Sequence, residues 1–527
     1  MIQKLFKKWV KKADPEGLTG AQYTKAIKKA NMTPLANVTA VTRVKNVEAK
    51  YNNDIWLKRE DQQPVYSFKL RGAYNKLQTL PAGSQVVTAS AGNHAQGLAY
   101  SSTHLGHHAR IVMPNTTPQI KVDAVKGFGG TVISHGNNFD EANAYALELA
   151  EKEGAIFVPP FDDEDVIIGQ GTVARELLEQ LPQLDAVFIP VGGGGLLAGM
   201  AVYIKTVNPK IHVVGVEAED SACFAAAMAA GEPVDLSYVG SFADGVAVKR
   251  IGKETFRVAQ QYCDEVITVS SDEICAAMQD IFVSMRAISE PSGALSLAGI
   301  KKWCDGNGKT GLQLAAILSG ANLNFNTLRY VAERTALGQK NEALLAVAIP
   351  EKKGSFKQFC KDLAGRPITE FNYRYGPSFG ADKNNQAEIF VGVGLRNGDE
   401  ELAEFKTQLS HNQYAFVDLS DNELAKLHVR YMVGGKPGAD INERLFRFDF
   451  PEYPGALLRF LETLGSKWNI SLFHYRNQGA AIGNVLAGID VPESDAEEFM
   501  AHLAQLDYQF TEETNNPCYQ RFLATSH

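Results

Sequence analysis

Between Gln85 and Lys152 short apolar runs alternate with longer stretches of helical period. Q-V-V-T-A-S (85–90), A-R-I-V-M-P (109–114) and G-T-V-I-S (130–134) read as strands, and N-H-A-Q-G-L-A-Y-S-S (93–102), Q-I-K-V-D-A-V-K (119–126) and E-A-N-A-Y-A-L-E-L-A-E-K (141–152) as helices. The order resumes with a strand at Ala186 to Pro190, a helix after a run of glycines, and the strand H-V-V-G-V-E-A (212–218). Upstream, Leu35 to Ala40 and Ile55 to Lys58 read as further extended segments. Strands and helices in this order predict parallel sheets with helices on both faces. Two sheet-centred subdomains follow, with a ligand between them.

Beyond residue 335 the pattern changes and repeats itself. L-L-A-V-A-I-P-E-K-K-G-S-F-K-Q-F (344–359) matches R-L-F-R-F-D-F-P-E-Y-P-G-A-L-L-R-F (444–460). Pro350 and Glu351 pair with Pro451 and Glu452, Gly354 with Gly455, and Phe359 with Phe460. F-N-Y-R (371–374) pairs with F-H-Y-R (473–476), and Y-A-F at 414 with Y-Q-F at 508. In the second copy Phe446, Phe448 and Phe450 alternate with Arg447 and Asp449, as on a half-buried strand. Each copy reads strand, helix, strand, strand, helix, strand, the split βαβ arrangement. The chain therefore divides into a first domain over 1–335 and two copies of a second module at 342–414 and 443–515. The duplicated module serves either effector binding or assembly alone.

Composition adds exclusions. A chain of 527 residues exceeds one core and predicts two or three domains. A formal charge of −8 gives no basic surface for nucleic acid. The six cysteines include no C-x-x-C, so neither a zinc site nor a disulfide framework is expected, and a reducing cytoplasm fits best. No metal site is indicated. M-I-Q-K-L-F-K-K-W-V-K-K sets Ile2, Leu5, Phe6, Trp9 and Val10 opposite five lysines. This predicts a short surface helix packed on the body or on a neighbouring subunit, not a secretory signal or a membrane anchor.

Three segments carry candidate chemistry. In S-F-K-L-R-G-A (67–73), Lys69 stands at the start of a helical pattern, where an amine can condense with an aldehyde cofactor. In V-G-G-G-G-L-L-A-G (191–199), four glycines before a helix expose backbone N–H groups, a cradle for a phosphate. The glycines lack the Lys-Ser/Thr pair of a nucleotide loop and the G-x-G-x-x-G spacing of a dinucleotide site. In T-A-S-A-G-N-H-A-Q-G (88–97), small residues and Asn93 occupy a strand-to-helix turn suited to a carboxylate. Taken singly, these are also a solvated lysine, a tight buried turn and an ordinary Asn turn.

Together with I-S-E-P-S-G-A (288–294), L-S-G-A-N (318–322) and E-T-N-N-P (513–517), they resemble the pyridoxal-phosphate enzymes of the tryptophan-synthase-β fold. Within that family the resemblance is to the threonine and serine dehydratases, over almost the whole chain. The tail resembles the ACT-like effector domains of amino-acid biosynthetic enzymes. The resemblance implies an α/β catalytic domain of fold type II, with its small subdomain at about 60–160, followed by a ferredoxin-like tandem repeat.

It also implies roles. Lys69 would hold pyridoxal 5'-phosphate and, once freed, act as the base on the substrate's α-proton. Gly192, Gly193, Gly194, Gly195 and Leu196 would bind the phosphate, Asn93 the phenolic oxygen and Ser319 the ring nitrogen. A neutral serine there favours β-elimination over transamination. Ser90, Ala91, Gly92, Asn93 and His94 would border the substrate. Ala91 departs from serine racemases, which carry a second serine there, so racemisation should be poor. His94 and Glu290 are either acid/base groups or supporting hydrogen-bond partners.

The implied reaction is conversion of L-threonine, and of L-serine as a second substrate, to a keto acid and ammonia. For threonine the keto acid is 2-oxobutanoate and the step opens isoleucine biosynthesis, with isoleucine and valine as effectors of a homotetramer. A serine dehydratase, a β-replacement enzyme and a catalytically inactive sensor are the alternatives. For the effector, Arg366 and Glu370 offer opposite charges, and Phe356 and Phe359, with Leu457 and Phe460 of the second copy, an apolar wall. Arg366 and Glu370 could equally be a surface pair.

Overall fold

A computed structural model describes residues 17–352, 354–363, 365–374, 386–432, 441–451, 456–464, 467–476, 482–504, 509–517 and 519–523. The basic amphipathic stretch at 2–10 lies outside them, as do Glu452, Gly455 and Tyr508 of the repeat. Two compact units make up the chain, Met1–Thr335 and Ala336–His527. Among the described residues no helix is long and apolar enough to cross a membrane.

The first unit contains two sheets. The larger has the order β1-β2-β10-β7-β8-β9, with β1 Val41–Arg43, β2 Asp54–Arg59, β7 Ala186–Pro190, β8 His212–Ala218, β9 Glu265–Val269 and β10 Gln313–Leu318. Only β1 runs antiparallel to its neighbour. The smaller sheet has the order β5-β4-β3-β6, all parallel, from β3 Gln85–Ala89, β4 His108–Met113, β5 Thr131–Ser134 and β6 Ile156–Phe157. Every residue of β7 is buried, because helices cover both faces of a parallel sheet. The helix Gly195–Val207 has no polar stripe in its first ten residues, all buried against neighbouring helices.

The extended segment expected over Leu35 to Ala40 opens on a turn and joins no strand. Leu35 and Ala36 turn their N–H groups back to the Met32 carbonyl, at 3.1 and 2.8 Å, in the turn that includes Pro34. Their donors are therefore unavailable to a sheet, and the edge strand starts six residues later, at Val41.

The second unit is one eight-stranded antiparallel sheet of order β14-β11-β13-β12-β16-β17-β15-β18. Its strands are β11 Glu342–Pro350, β12 Ile368–Arg374, β13 Gln386–Gly394, β14 Ala415–Asp418, β15 Glu443–Pro451, β16 Asn469–Arg476, β17 Ile482–Asp490 and β18 Phe510–Glu512. Each copy contributes four, with helices at Ser355–Asp362 and Gly398–His411 in the first, and Ala456–Leu464 and Ala496–Leu503 in the second. The copies join through β12 and β16, and there the shared F-x-Y-R motifs lie antiparallel. Phe371 faces Tyr475 and Tyr373 faces Phe473. The Phe371 and Phe473 rings meet edge to face at 5.7 Å. The motif recurs because each copy presents the same edge to the other, as in a two-fold interface.

Candidate active site

The glycine run lies at the carboxyl end of β7, where parallel sheets bind ligands. Gly194 has φ +89°, a conformation that a side chain disfavours, and Gly195 opens the helix. A Cβ on Gly193 would stand 2.2 Å from the Phe161 ring, and one on Gly192 2.9 Å from the Val246 Cα. Thr255 Oγ1 donates to the Gly193 carbonyl at 2.7 Å, holding the loop from behind. Asp162 in turn accepts the N–H groups of Lys253, Glu254 and Thr255 at 2.9, 2.9 and 3.1 Å.

Lys69 is the first residue of the helix Lys69–Leu77. The preceding backbone is tied to the end of β10: Phe68 N–H donates to the Ser319 carbonyl at 3.1 Å, and Ser67 bridges Gly320. Lys69 is half-buried as a residue, but its amine is enclosed and donates to the Pro160 carbonyl at 2.9 Å. Burial pushes the amine down to about 8, against a weaker pull from Glu290. Two residues on, Arg71 is fully buried in a charge network that fastens this helix. Its guanidinium meets Glu60 at 2.7 Å and Glu176 at 2.6 Å, and Lys58 meets Glu176 at 2.7 Å.

Lys69, Asn93, Gly192 to Gly195, Leu196 and Ser319 line one cavity, together with Phe161, Val246, Glu290 and Ser292. The cavity wall includes Asn93 but not Ser90, Ala91 or Gly92, which are half-buried in the turn before it. His94 is also outside the wall. It is buried with Nε2 3.1 Å from the Val158 carbonyl. Burial, then the nearby Lys69 charge, push it down to about 3, so it is a neutral imidazole and supplies no cation for a carboxylate. Glu290, also buried, is pushed up to about 8 by burial and, secondarily, by Asp244.

Phe161, Val246, Thr255 and Ser292 escaped the sequence reading. Ser292 stands in the E-P-S-G motif and was findable; Phe161, Val246 and Thr255 reach the loop only through the fold. The residues fit a phosphorylated aldehyde cofactor. The amine is enclosed and easily deprotonated, the cradle has no room for a Cβ, and the buried Ser292 Oγ has no hydrogen-bond partner among the described residues. Ser319 Oγ, on the same wall, donates to the Ser292 carbonyl at 3.2 Å. A wider recess at the amino ends of β7 to β10, beside His212, Glu265 and Trp303, contains none of the motif residues.

In the second unit Arg366 and Glu370 have separate partners. Arg366 pairs with Glu401 at 3.1 Å, donates to Gln408 at 2.9 Å, and stacks over the Phe405 ring. Glu370 is fully buried and meets Arg430 at 3.0 Å. Phe359, Leu457 and Phe460 are buried in the common core, and Phe356 packs against it.

A buried amine beside a glycine cradle, at the carboxyl ends of a parallel sheet, defines the class: an enzyme that works through a phosphorylated aldehyde. The family model described as pyridoxal-phosphate dependent enzyme matches residues 32–320, and that of the C-terminal regulatory domain of threonine dehydratase matches 333–429 and 436–523. The biosynthetic L-threonine dehydratase of Escherichia coli is 57% identical over 508 residues, 96% of this chain and 98% of the relative. The mitochondrial threonine dehydratase of Saccharomyces cerevisiae is 45% identical over 95% of this chain and 89% of its own. Among solved structures, processed threonine deaminase isoform 2 of Solanum lycopersicum superimposes with a TM-score of 0.59 at 43% identity, covering 61% of this chain and 95% of that one. Maize serine racemase gives 0.56 at 31% identity, over 59% and 96%. The chain belongs to the pyridoxal-phosphate-dependent enzymes, in the family of the biosynthetic threonine dehydratases, and ends in that family's regulatory domain.

Proposed function

We propose that the protein dehydrates and deaminates L-threonine to 2-oxobutanoate and ammonia, opening isoleucine biosynthesis under feedback by isoleucine. The observation that carries the reading is the enclosed Lys69 amine, pushed down to about 8, in one cavity with the glycine cradle and Ser319. The cofactor, when bound, supplies the electron sink that makes the substrate's α-carbon acidic. Lys69 Nζ takes the α-proton; pushed down to about 8, it is far more readily freed of its own proton than an ordinary lysine and so is suited to act as a base near physiological pH. The N–H groups of Gly192 to Gly195 hold the phosphate. Ser319 offers the ring nitrogen a neutral hydroxyl, Asn93 borders the ring oxygen, and the S-A-G-N turn approaches the substrate carboxylate. Ala91 puts no base on the opposite side, which favours loss of the β-hydroxyl over racemisation. L-Serine, smaller by one methyl, is a second substrate.

The doubled regulatory module supports amino-acid effectors, with isoleucine inhibiting and valine opposing it through different affinities for two states. Arg366 and Glu370 remain our candidates for the effector's two charges. An incoming carboxylate would exchange with Glu401 at Arg366, and an ammonium would compete with Arg430 for Glu370. We place the enzyme in the cytoplasm as a homotetramer. The test is the visible spectrum and keto-acid yield of the purified protein with threonine and with serine, with and without isoleucine. Turnover of threonine, slowed by isoleucine, is expected; no keto acid from either substrate would overturn the reading.

A further inference from the structure

The side-chain amide of Asn93 is held at both ends. Its Nδ2 donates to Glu290 Oε1 at 2.7 Å, and its Oδ1 accepts from Asn322 Nδ2 at 2.7 Å. The two ends of an amide have nearly the same shape, so neighbours decide which end faces where. Here the decision starts at a backbone carbonyl. The Val65 carbonyl can only accept, and it takes a hydrogen from Asn322 Nδ2 at 2.9 Å. The other hydrogen of that nitrogen meets Asn93, which must therefore present oxygen to Asn322 and nitrogen to Glu290. Glu290 closes the ring, because its Oε2 accepts the backbone N–H of Asn322 at 3.1 Å; both carboxyl oxygens keep a lone pair for these N–H groups whether or not the group carries a proton, as an amide nitrogen would not. Asn93 Nδ2 keeps one hydrogen with no partner among the described residues, in a side chain that lines the cavity.

Gly320 makes the ring possible. A Cβ there would stand 2.5 Å from Glu290 Oε1 and 3.3 Å from Asn93 Nδ2. The motif L-S-G-A-N thus places a hydroxyl in the cavity at 319, leaves room for the Glu290–Asn93 bond at 320, and anchors the ring at 322.

We propose that Asn322 and Glu290 are positioning residues that fix the amide of Asn93 with its free N–H toward the cavity, where it donates to an oxygen of the bound cofactor. This rests on the reading of the cavity as the cofactor site. It predicts an unusual sensitivity to an isosteric change. In Glu290→Gln the Asn322 backbone N–H still requires an acceptor, so the glutamine oxygen turns to it and the glutamine nitrogen faces Asn93 Nδ2. Flipping Asn93 would then set its nitrogen against Asn322 Nδ2. No orientation satisfies the ring.

The experiment reconstitutes the full chain and its Glu290→Gln, Asn322→Ala and Lys69→Ala variants with pyridoxal 5'-phosphate. It measures the absorbance maximum of bound cofactor, its dissociation constant, kcat and KM for threonine, and apoprotein Tm. Expected for Glu290→Gln and Asn322→Ala are a Tm lower by a few degrees at most, a displaced absorbance maximum, and a kcat lower by roughly tenfold with KM less affected, the scale of one lost hydrogen bond. Wild-type absorbance and kcat in both would overturn the proposal. So would a loss confined to Tm, which is all that a merely structural ring would give. If Asn322→Ala does not fold, Glu290→Gln, which keeps the side chain's shape, decides alone. Covalently bound cofactor persisting in Lys69→Ala would instead sink the reading of the cavity itself, and the proposal with it.

Discussion

At Lys69 the fold encloses an amine without giving it a carboxylate partner. Its nearest bond is to a carbonyl, and burial outweighs the pull of Glu290. The folded protein therefore releases the lysine's proton near pH 8, whereas the unfolded chain keeps it to about 10.4. Between these values the unfolded chain binds more protons, so stability of the apoprotein should rise with pH across that window. Below about pH 8 the enclosed charge costs stability in full. Two outcomes follow. The rate at which apoprotein captures pyridoxal 5'-phosphate at Lys69 should climb with a midpoint near pH 8, read by stopped-flow absorbance. Apo Lys69→Met should be more stable than apo wild type at pH 6, with the difference shrinking toward pH 10.5, read by urea denaturation. A capture midpoint above pH 10 would show that the amine is solvated.

Among the elements, the turn from β7 into its helix is the least forgiving. Phe161 and Val246 occupy the space on either side that side chains would need. Gly193→Ala must displace the Phe161 ring or the loop, and overpacking of this kind costs about 1–3 kcal/mol. Because the displaced groups are the phosphate cradle itself, cofactor affinity should fall at least as far as stability. The check is equilibrium dialysis of pyridoxal 5'-phosphate beside thermal unfolding of the apoprotein; unchanged affinity would mean that the ring moves aside freely. The pairing of β12 with β16 teaches a complementary lesson. The F-x-Y-R repeat was plain in the chain, yet nothing local says that its two copies face each other.

On the scale of the whole molecule, the chain divides at Thr335 and Ala336, and each unit encloses its own cores. A protein ending near residue 337 should therefore fold and turn over threonine with hyperbolic kinetics, and should not respond to isoleucine. Steady-state rates across threonine and isoleucine concentrations test this. Inhibition of the truncated protein at the same isoleucine concentrations would put the effector site in the catalytic unit and leave the doubled sheet as an assembly module.

What the chain alone determined follows from short-range physics. Apolar period and glycine placement specify strands, helices and the phosphate turn, and the internal repeat specifies two copies of one module. Lys69, Asn93 and the four glycines stood out in such motifs, Ser319 came only with the resemblance to the pyridoxal-phosphate enzymes, and the fold gathers them into one cavity. Tertiary structure decided what depends on distant segments. It enclosed Lys69 and neutralised His94, because a pKa is set by surroundings that no local spacing encodes. It gave Arg366 and Glu370 separate partners, Glu401 and Arg430, each at least 35 residues away in the chain. It also brought Asn93, Glu290 and Asn322 into a ring across 197 and 229 residues, because the ends of β3 and β10 meet only when the two sheets are assembled.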